Sequence, residues 1–98
     1  MSGGIFVGKV KIVRNEADCK ALDKTHVAIV AVPDRKHIHL LKRASAIVTE
    51  TGGLLGHIAK VAREDNLTFV GGIQDAASLF KDKDLVCVDG SKGTVTYA

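Results

Sequence analysis

The sequence predicts an α/β or α+β fold with mixed strand pairing. Three observations predict it. Val27-Ala28-Ile29-Val30-Ala31-Val32 is an unbroken apolar run, the pattern of a strand covered on both faces. Val10 and Ile12 alternate with Lys9 and Lys11, the period of a half-buried strand. Between Gly56 and Asp65, Ile58, Val61 and Ala62 recur at helical spacing. At 98 residues the chain has the length of one domain, taken as residues 1–98. A domain of that size buries only a modest core.

The elements follow in order. Ile5 to Val13 reads as the first strand, and Gly8 inside it signals a bulge or a close backbone approach. Arg14 to Thr25 is polar and reads as a loop with a short helical turn. The Val27–Val32 strand ends at Pro33, which suits the first position of a helix because it lacks an N–H. Asp34 falls in that helix's first turn and Lys42 and Arg43 in its last, both favourable against the helix dipole. Ile38, Leu40 and Leu41 give the Pro33–Arg43 helix an apolar stripe. Ala46 to Thr49 is a short strand, and Thr51-Gly52-Gly53 breaks it ahead of the Gly56–Asp65 helix. Asn66 suits a left-handed helix end. Leu67 to Val70 is a strand, Ala76 to Phe80 a short helix, and Leu85 to Val88 and Thr94 to Tyr97 the last two strands. Gly90 and Gly93 are expected to supply the positive φ angles of the turn between them.

Composition excludes several classes. Net charge is +3, and the cationic residues are scattered rather than massed. Aromatic residues make up only 4%, too few for a base-stacking platform, so no nucleic-acid partner is expected. No run of 18 apolar residues occurs, so no membrane span is expected. The start, Met1 to Phe6, has no basic stretch ahead of an apolar one, so no signal peptide is read and the expected location is the cytoplasm. Cys19 and Cys87 lack CxxC spacing and read as reduced thiols. His37 and His39, two apart on a helix, point about 200° from one another and cannot share a metal. Neither a metal site nor a cofactor is expected.

One stretch carries chemistry: Thr49 through Arg63. It runs from a strand through a glycine pair into a helix, which aims unpaired backbone N–H groups and the positive helix end at one spot. Such a spot suits phosphate. His57 falls in the helix's first turn, where neutral imidazole is a competent nucleophile. Lys60 shares its face and is placed to neutralise phosphate charge. A glycine pair before a helix is also ordinary turn chemistry, so the local pattern leaves both readings open. The stretch lacks Gly-Lys-Ser/Thr, which excludes a P-loop.

The flanks extend the pattern. Ala46-Ile47-Val48-Thr49, Gly52-Gly53, His57, Ala59, Val61-Ala62-Arg63, Val70, Gly72, Asp89-Gly90 and Gly93-Thr94-Val95 occur in order, with Gly8-Lys9-Val10 and Val32-Pro33-Asp34 ahead of them. In these residues the chain resembles the phosphohistidine domain of pyruvate phosphate dikinase, phosphoenolpyruvate synthase and the first enzyme of the bacterial sugar phosphotransferase system. The resemblance covers nearly the whole chain. It implies the swivelling β/β/α phosphohistidine-domain fold, a mixed sheet with flanking helices. It implies that His57 takes a phosphoryl group at one active site and passes it on at another. With the local pattern, phosphate contacts are expected from Thr51, Gly52, Gly53, Gly56, Lys60 and Arg63, although Arg63 equally suits anchoring the loop. The implied partners are a phosphoenolpyruvate-binding and/or a nucleotide-binding (ATP-grasp) domain, since this chain alone has no room for either. Leu55-Gly56 stands where the family has Thr-Ser, Lys60 where it has Ile, and Thr68 where it has Pro. Those departures leave a second expectation: a non-catalytic regulatory or interaction module of the same fold, like that appended to some pyruvate kinases, binding phosphate at Gly52-Gly53.

Overall fold

A computed structural model describes residues 4–32, 34–50 and 54–98. The strands are β1 (Ile5–Val13), β2 (His26–Val30), β3 (Ala46–Thr49), β4 (Thr68–Val70), β5 (Leu85–Asp89) and β6 (Thr94–Tyr97). The α-helices are α1 (Glu16–Lys20), α2 (Leu55–Glu64) and α3 (Ala76–Leu79), and a 3₁₀ helix spans Ile38–Arg43. All six strands form one sheet in the order β4-β3-β2-β1-β5-β6. β1 to β4 run parallel, while β1–β5 and β5–β6 pair antiparallel, so the sheet is mixed as expected.

Topology explains the layers. The steps β1 to β2, β2 to β3 and β3 to β4 each move one place in the same direction. Parallel crossovers are right-handed, so α1, the 3₁₀ helix and α2 all land on one face. That face buries Ala28, Val30 and Ile47 under Leu22, Leu41, Ile58 and Ala62. The alternating residues Val27, Ile29, Ala46 and Val48 point to the other face, where Val86, Val88, Ala76 and Phe80 cover them. Val86 and Val88 belong to the same sheet, and β4 touches β5 although three strands separate them in the order. The sheet therefore curls onto itself.

Most elements lie where the sequence puts them, within a residue or two at the ends. The apolar strand is shorter than expected: β2 stops at Val30, and Val32 is 57% exposed. β1 ends at Val13, whose carbonyl accepts from Ala31 N–H, so the ladder has no partner beyond it.

The expected Pro33–Arg43 α-helix is also corrected; Pro33 itself lies outside the described residues. Asp34 Oδ1 accepts from Lys36 N–H, His37 N–H bonds Asp34 O, and only then does the 3₁₀ helix start. Its three-residue turn explains the choice. Ile38, Leu41 and Ala44, three apart, are 6, 2 and 0% exposed, and three-per-turn winding puts all of them on one line.

α1 has a definite start. Asn15 Oδ1 accepts from Asp18 N–H at 3.0 Å, and Asp18 Oδ2 accepts from Arg14 N–H at 2.9 Å. Cys19 is buried beneath it, and burial pushes its thiol above its usual 9.0. Cys19 and Cys87 are both unbridged. Asn66 takes φ 55°, as its type suggests, whereas in the last turn only Gly93 (φ 69°) is left-handed; Gly90 N–H instead bonds Gly4 O at 2.8 Å. Among the described residues no helix is long and apolar enough to cross a membrane.

Candidate phosphoryl site

β3 delivers the chain to the site. Ala46 to Thr49 are buried, and Thr49 O accepts Ile73 N–H at 3.0 Å. Thr49 Oγ1 is also buried and has no hydrogen-bond partner among the described residues. Glu50 turns away from the strand and accepts Ala77 N–H at 3.1 Å. The expected phosphate contacts Thr51, Gly52 and Gly53 lie outside the described residues.

α2 begins beyond them at the carboxyl ends of the parallel strands, the end at which α/β sheets bind ligands. Ile58 N–H closes the first turn onto Leu54 O at 3.1 Å. The N–H groups of Leu55, Gly56 and His57 have no acceptor within the helix, and the Leu54 side chain does not cap them. A Cβ built on Gly56 meets nothing within 4 Å among the described residues. Leu55 does not occupy that space. Its Cδ1 lies 2.8 Å from where a Cβ on Gly71 would stand, so this side chain covers the end of β4.

Ile58 and Ala62 anchor α2 to the sheet at 1 and 0% exposure. The stripe beside them, His57, Lys60, Val61 and Glu64, lines a shallow surface groove of about 250 Å³. Arg35, Ile38 and His39 form its other wall, because the 3₁₀ helix packs against α2. His57, Lys60, Glu64, Arg35 and His39 are all exposed. Two expected site residues, His57 and Lys60, thus share one groove. Gly56 stands in the turn before it. Arg63 is exposed in the last turn of α2 and is not part of the groove lining.

The second wall escaped the sequence reading. Arg35 was not singled out, and His39 was weighed only as half of a chelating pair. The two histidines do diverge. His37 Nε2 meets Glu16 Oε1 at 3.1 Å, with Asp34 Oδ2 3.8 Å from Nδ1, while His39 faces the groove. Nothing local in Arg35 or His39 signals the site; it depends on how the 3₁₀ helix docks against α2. Among the described residues no three His, Cys, Asp or Glu side chains cluster as a metal site.

The family described as PEP-utilising enzyme, mobile domain, matches residues 22–93. The chain is 41% identical over 95 residues to a phosphoenolpyruvate synthase of Aeropyrum pernix, covering 96% of this chain and 12% of that protein. It is 36% identical over 95 residues to an uncharacterized phosphotransferase, YvkC, of Bacillus subtilis, covering 97% of this chain and 11% of that one. This chain therefore spans only about an eighth of those relatives. A solution structure of Enzyme I superposes with a TM-score of 0.72 at 28% identity, over 81% of this chain and 33% of that one. With the match running from the end of α1 to the last turn, the chain belongs to the mobile-domain family of PEP-utilising enzymes.

Proposed function

We propose that this domain is a phosphoryl carrier and that His57 holds the group in transit. The observation that carries the reading is the position of His57: exposed, in the first turn of a ten-residue helix whose leading N–H groups have no acceptor within the helix, beside Lys60. Transfer of a phosphoryl group needs positioning and charge stabilisation more than covalent help, and those are what this spot supplies. A neutral ring nitrogen of His57 attacks phosphorus. The P–N bond forms as the P–O bond to the donor breaks, and the donor oxygen leaves with the electron pair. At the second site an acceptor oxygen attacks phosphorus, the P–N bond breaks, and the imidazole recovers its pair. The donor is of the phosphoenolpyruvate type, bound by a partner domain, and a nucleotide-binding domain is the other station. The two unbridged thiols suit the reducing cytoplasm, where we place the carrier.

A second reading is favoured by Leu55. Its side chain lies over Gly71 and brings no hydroxyl to the site, which suits a regulatory module of the same fold that binds phosphate without transferring it.

One experiment separates them. The domain is incubated with phosphoenolpyruvate and a phosphoenolpyruvate-binding partner from the same cell, and intact mass is read at alkaline pH. The carrier gains one phosphoryl group, which disappears in His57→Ala and on acidification. No gain, with a partner active on a Thr-Ser-His domain of the family, leaves the module reading.

A further inference from the structure

We propose that Arg35 and His39, together with Lys60, form an anion-holding wall that fixes the phosphoryl group beside His57. The identity of the bound group rests on the carrier reading; the presence of an anion site does not. The groove brings these side chains together from two elements far apart in sequence. Arg35 and His39 come from the segment around the 3₁₀ helix, Lys60 from the helix that carries His57.

Three observations carry the inference. First, among the described residues the ion pairs use other side chains, and neither Arg35 nor Lys60 has a carboxylate within ion-pair distance. Both cations are therefore available to a ligand. Second, the groove is a shallow surface feature of about 250 Å³, which leaves room for a phosphate between its two walls. Third, the chemistry of the wall fits a phosphoryl group. Arginine offers a planar fork for two oxygens, lysine a point charge, and a histidine ring a donor in either tautomer. Glu64 lies at the far end of the α2 stripe, two turns beyond His57, and its charge repels an anion from that end. The phosphoryl group is thereby favoured at the His57 end of the groove.

The wall supplies from side chains what a hydroxyl pair ahead of His57 would supply. It makes the site selective for a dianionic phosphoryl group over a singly charged carboxylate.

The test begins with inorganic phosphate and the unmodified domain, followed through the histidine ring signals by NMR. Saturable shifts of both His57 and His39 are expected. Arg35→Gln, His39→Gln and Lys60→Gln should each weaken phosphate binding by about fivefold, the scale of one charge-assisted hydrogen bond at an open site. Glu64→Gln should tighten it by about twofold, a change that a damaged fold would not produce. Acetate should shift neither ring at the same concentrations.

Phosphate affinity unchanged in both Arg35→Gln and His39→Gln would overturn the wall. So would a titration that moves His57 and leaves His39 still. The same variants are then phosphorylated by the partner and phosphoenolpyruvate. If the unmodified domain takes no phosphoryl group while phosphate binding follows the expected pattern, the carrier reading falls and the wall stands. If Arg35→Gln and His39→Gln are phosphorylated at the unmodified rate, the wall falls and the carrier stands.

Discussion

The Glu50 carboxylate accepts the backbone N–H of Ala77 at 3.1 Å, tying the residue after β3 to the first turn of α3. Asp75 ahead of α3 takes φ 56° and gives it no side-chain cap, so Glu50 serves as the cap from 27 residues away. Removing it leaves a part-buried N–H unpaired, at a cost of about 1 kcal/mol. Glu50→Ala should therefore lower Tm by about 4–8 °C, read by circular dichroism, while Glu50→Gln keeps an acceptor and loses less. An unchanged Tm in Glu50→Ala would show that this hydrogen bond contributes nothing.

Gly8 and Gly56 should respond to alanine with opposite signs. A Cβ on Gly8 would stand 2.6 Å from Thr25 O and closer still to the Phe6 ring, inside a central strand. Gly8→Ala is expected to destabilise by about 1–3 kcal/mol through overpacking. Gly56 sits in a helix, and a Cβ there meets none of the described residues within 4 Å. Gly56→Ala should stabilise by about 0.5–1 kcal/mol through chain entropy. Chemical denaturation of the two variants checks both signs.

On the carrier reading, hydroxyls placed ahead of His57 should speed its phosphorylation. Gly56→Ser has room to enter without displacing any of the described residues. Leu55→Thr gives up the contact over Gly71 and should cost about 1–2 kcal/mol of stability. The pair should raise the rate of phosphoryl gain by about tenfold or more, the scale of one placed donor in such a site. The rate is read by quenched mass measurements against time. An unchanged rate would mean that the hydroxyls do not touch the group in this domain.

The Glu16 carboxyl is held below its usual 4.5, first by its hydrogen bond with Lys20 and that lysine's charge, then by His37. Lys20 Nζ stands 3.0 Å away. Because the carboxyl ionises more readily in the fold than in the open chain, its contribution is complete above pH 4.5. It is lost as pH falls through the lower folded value. Lys20→Met should raise the Glu16 pKa toward 4.5, and His37→Gln should raise it by less. Carboxyl-detected NMR titration reads both. The site is solvent-exposed, so added salt should shrink each effect.

Much of this fold was legible because its strands declare themselves. The alternation of Val10 and Ile12 with Lys9 and Lys11 gave β1, and the apolar run from Val27 gave β2, since strands covered on both faces read as near-continuous apolar runs. Gly8 signals a bulge or a close approach, and the structure decides for the approach, since its pairing with β5 runs through without a break. The 3₁₀ helix was misread as α because Ile38, Leu40 and Leu41 fit an α stripe. Only the burial of Ala44, set by tertiary packing, decides for the tighter winding. The helix with His57 was legible for a similar local reason, since a strand, a glycine pair and an amphipathic stretch follow in sequence. Arg35 and His39 were not, because their place opposite Lys60 follows from how two helices dock.

The sheet order sets a schedule for synthesis. β1 is made first, yet it lies inside the sheet with β2 on one side and β5 on the other. Ile12 N–H bonds the carboxylate of Asp82, 70 residues on. At about 5–20 residues per second, β1 waits several seconds with one edge open before β5 can leave the ribosome. Until β5 arrives, Val10 and Ile12 lack Val86 and Val88, their cover in the folded domain. A strand edge left open in this way is one that other chains can pair with. Pairing of β5 closes that edge, and Gly90 N–H bonds Gly4 O beside it.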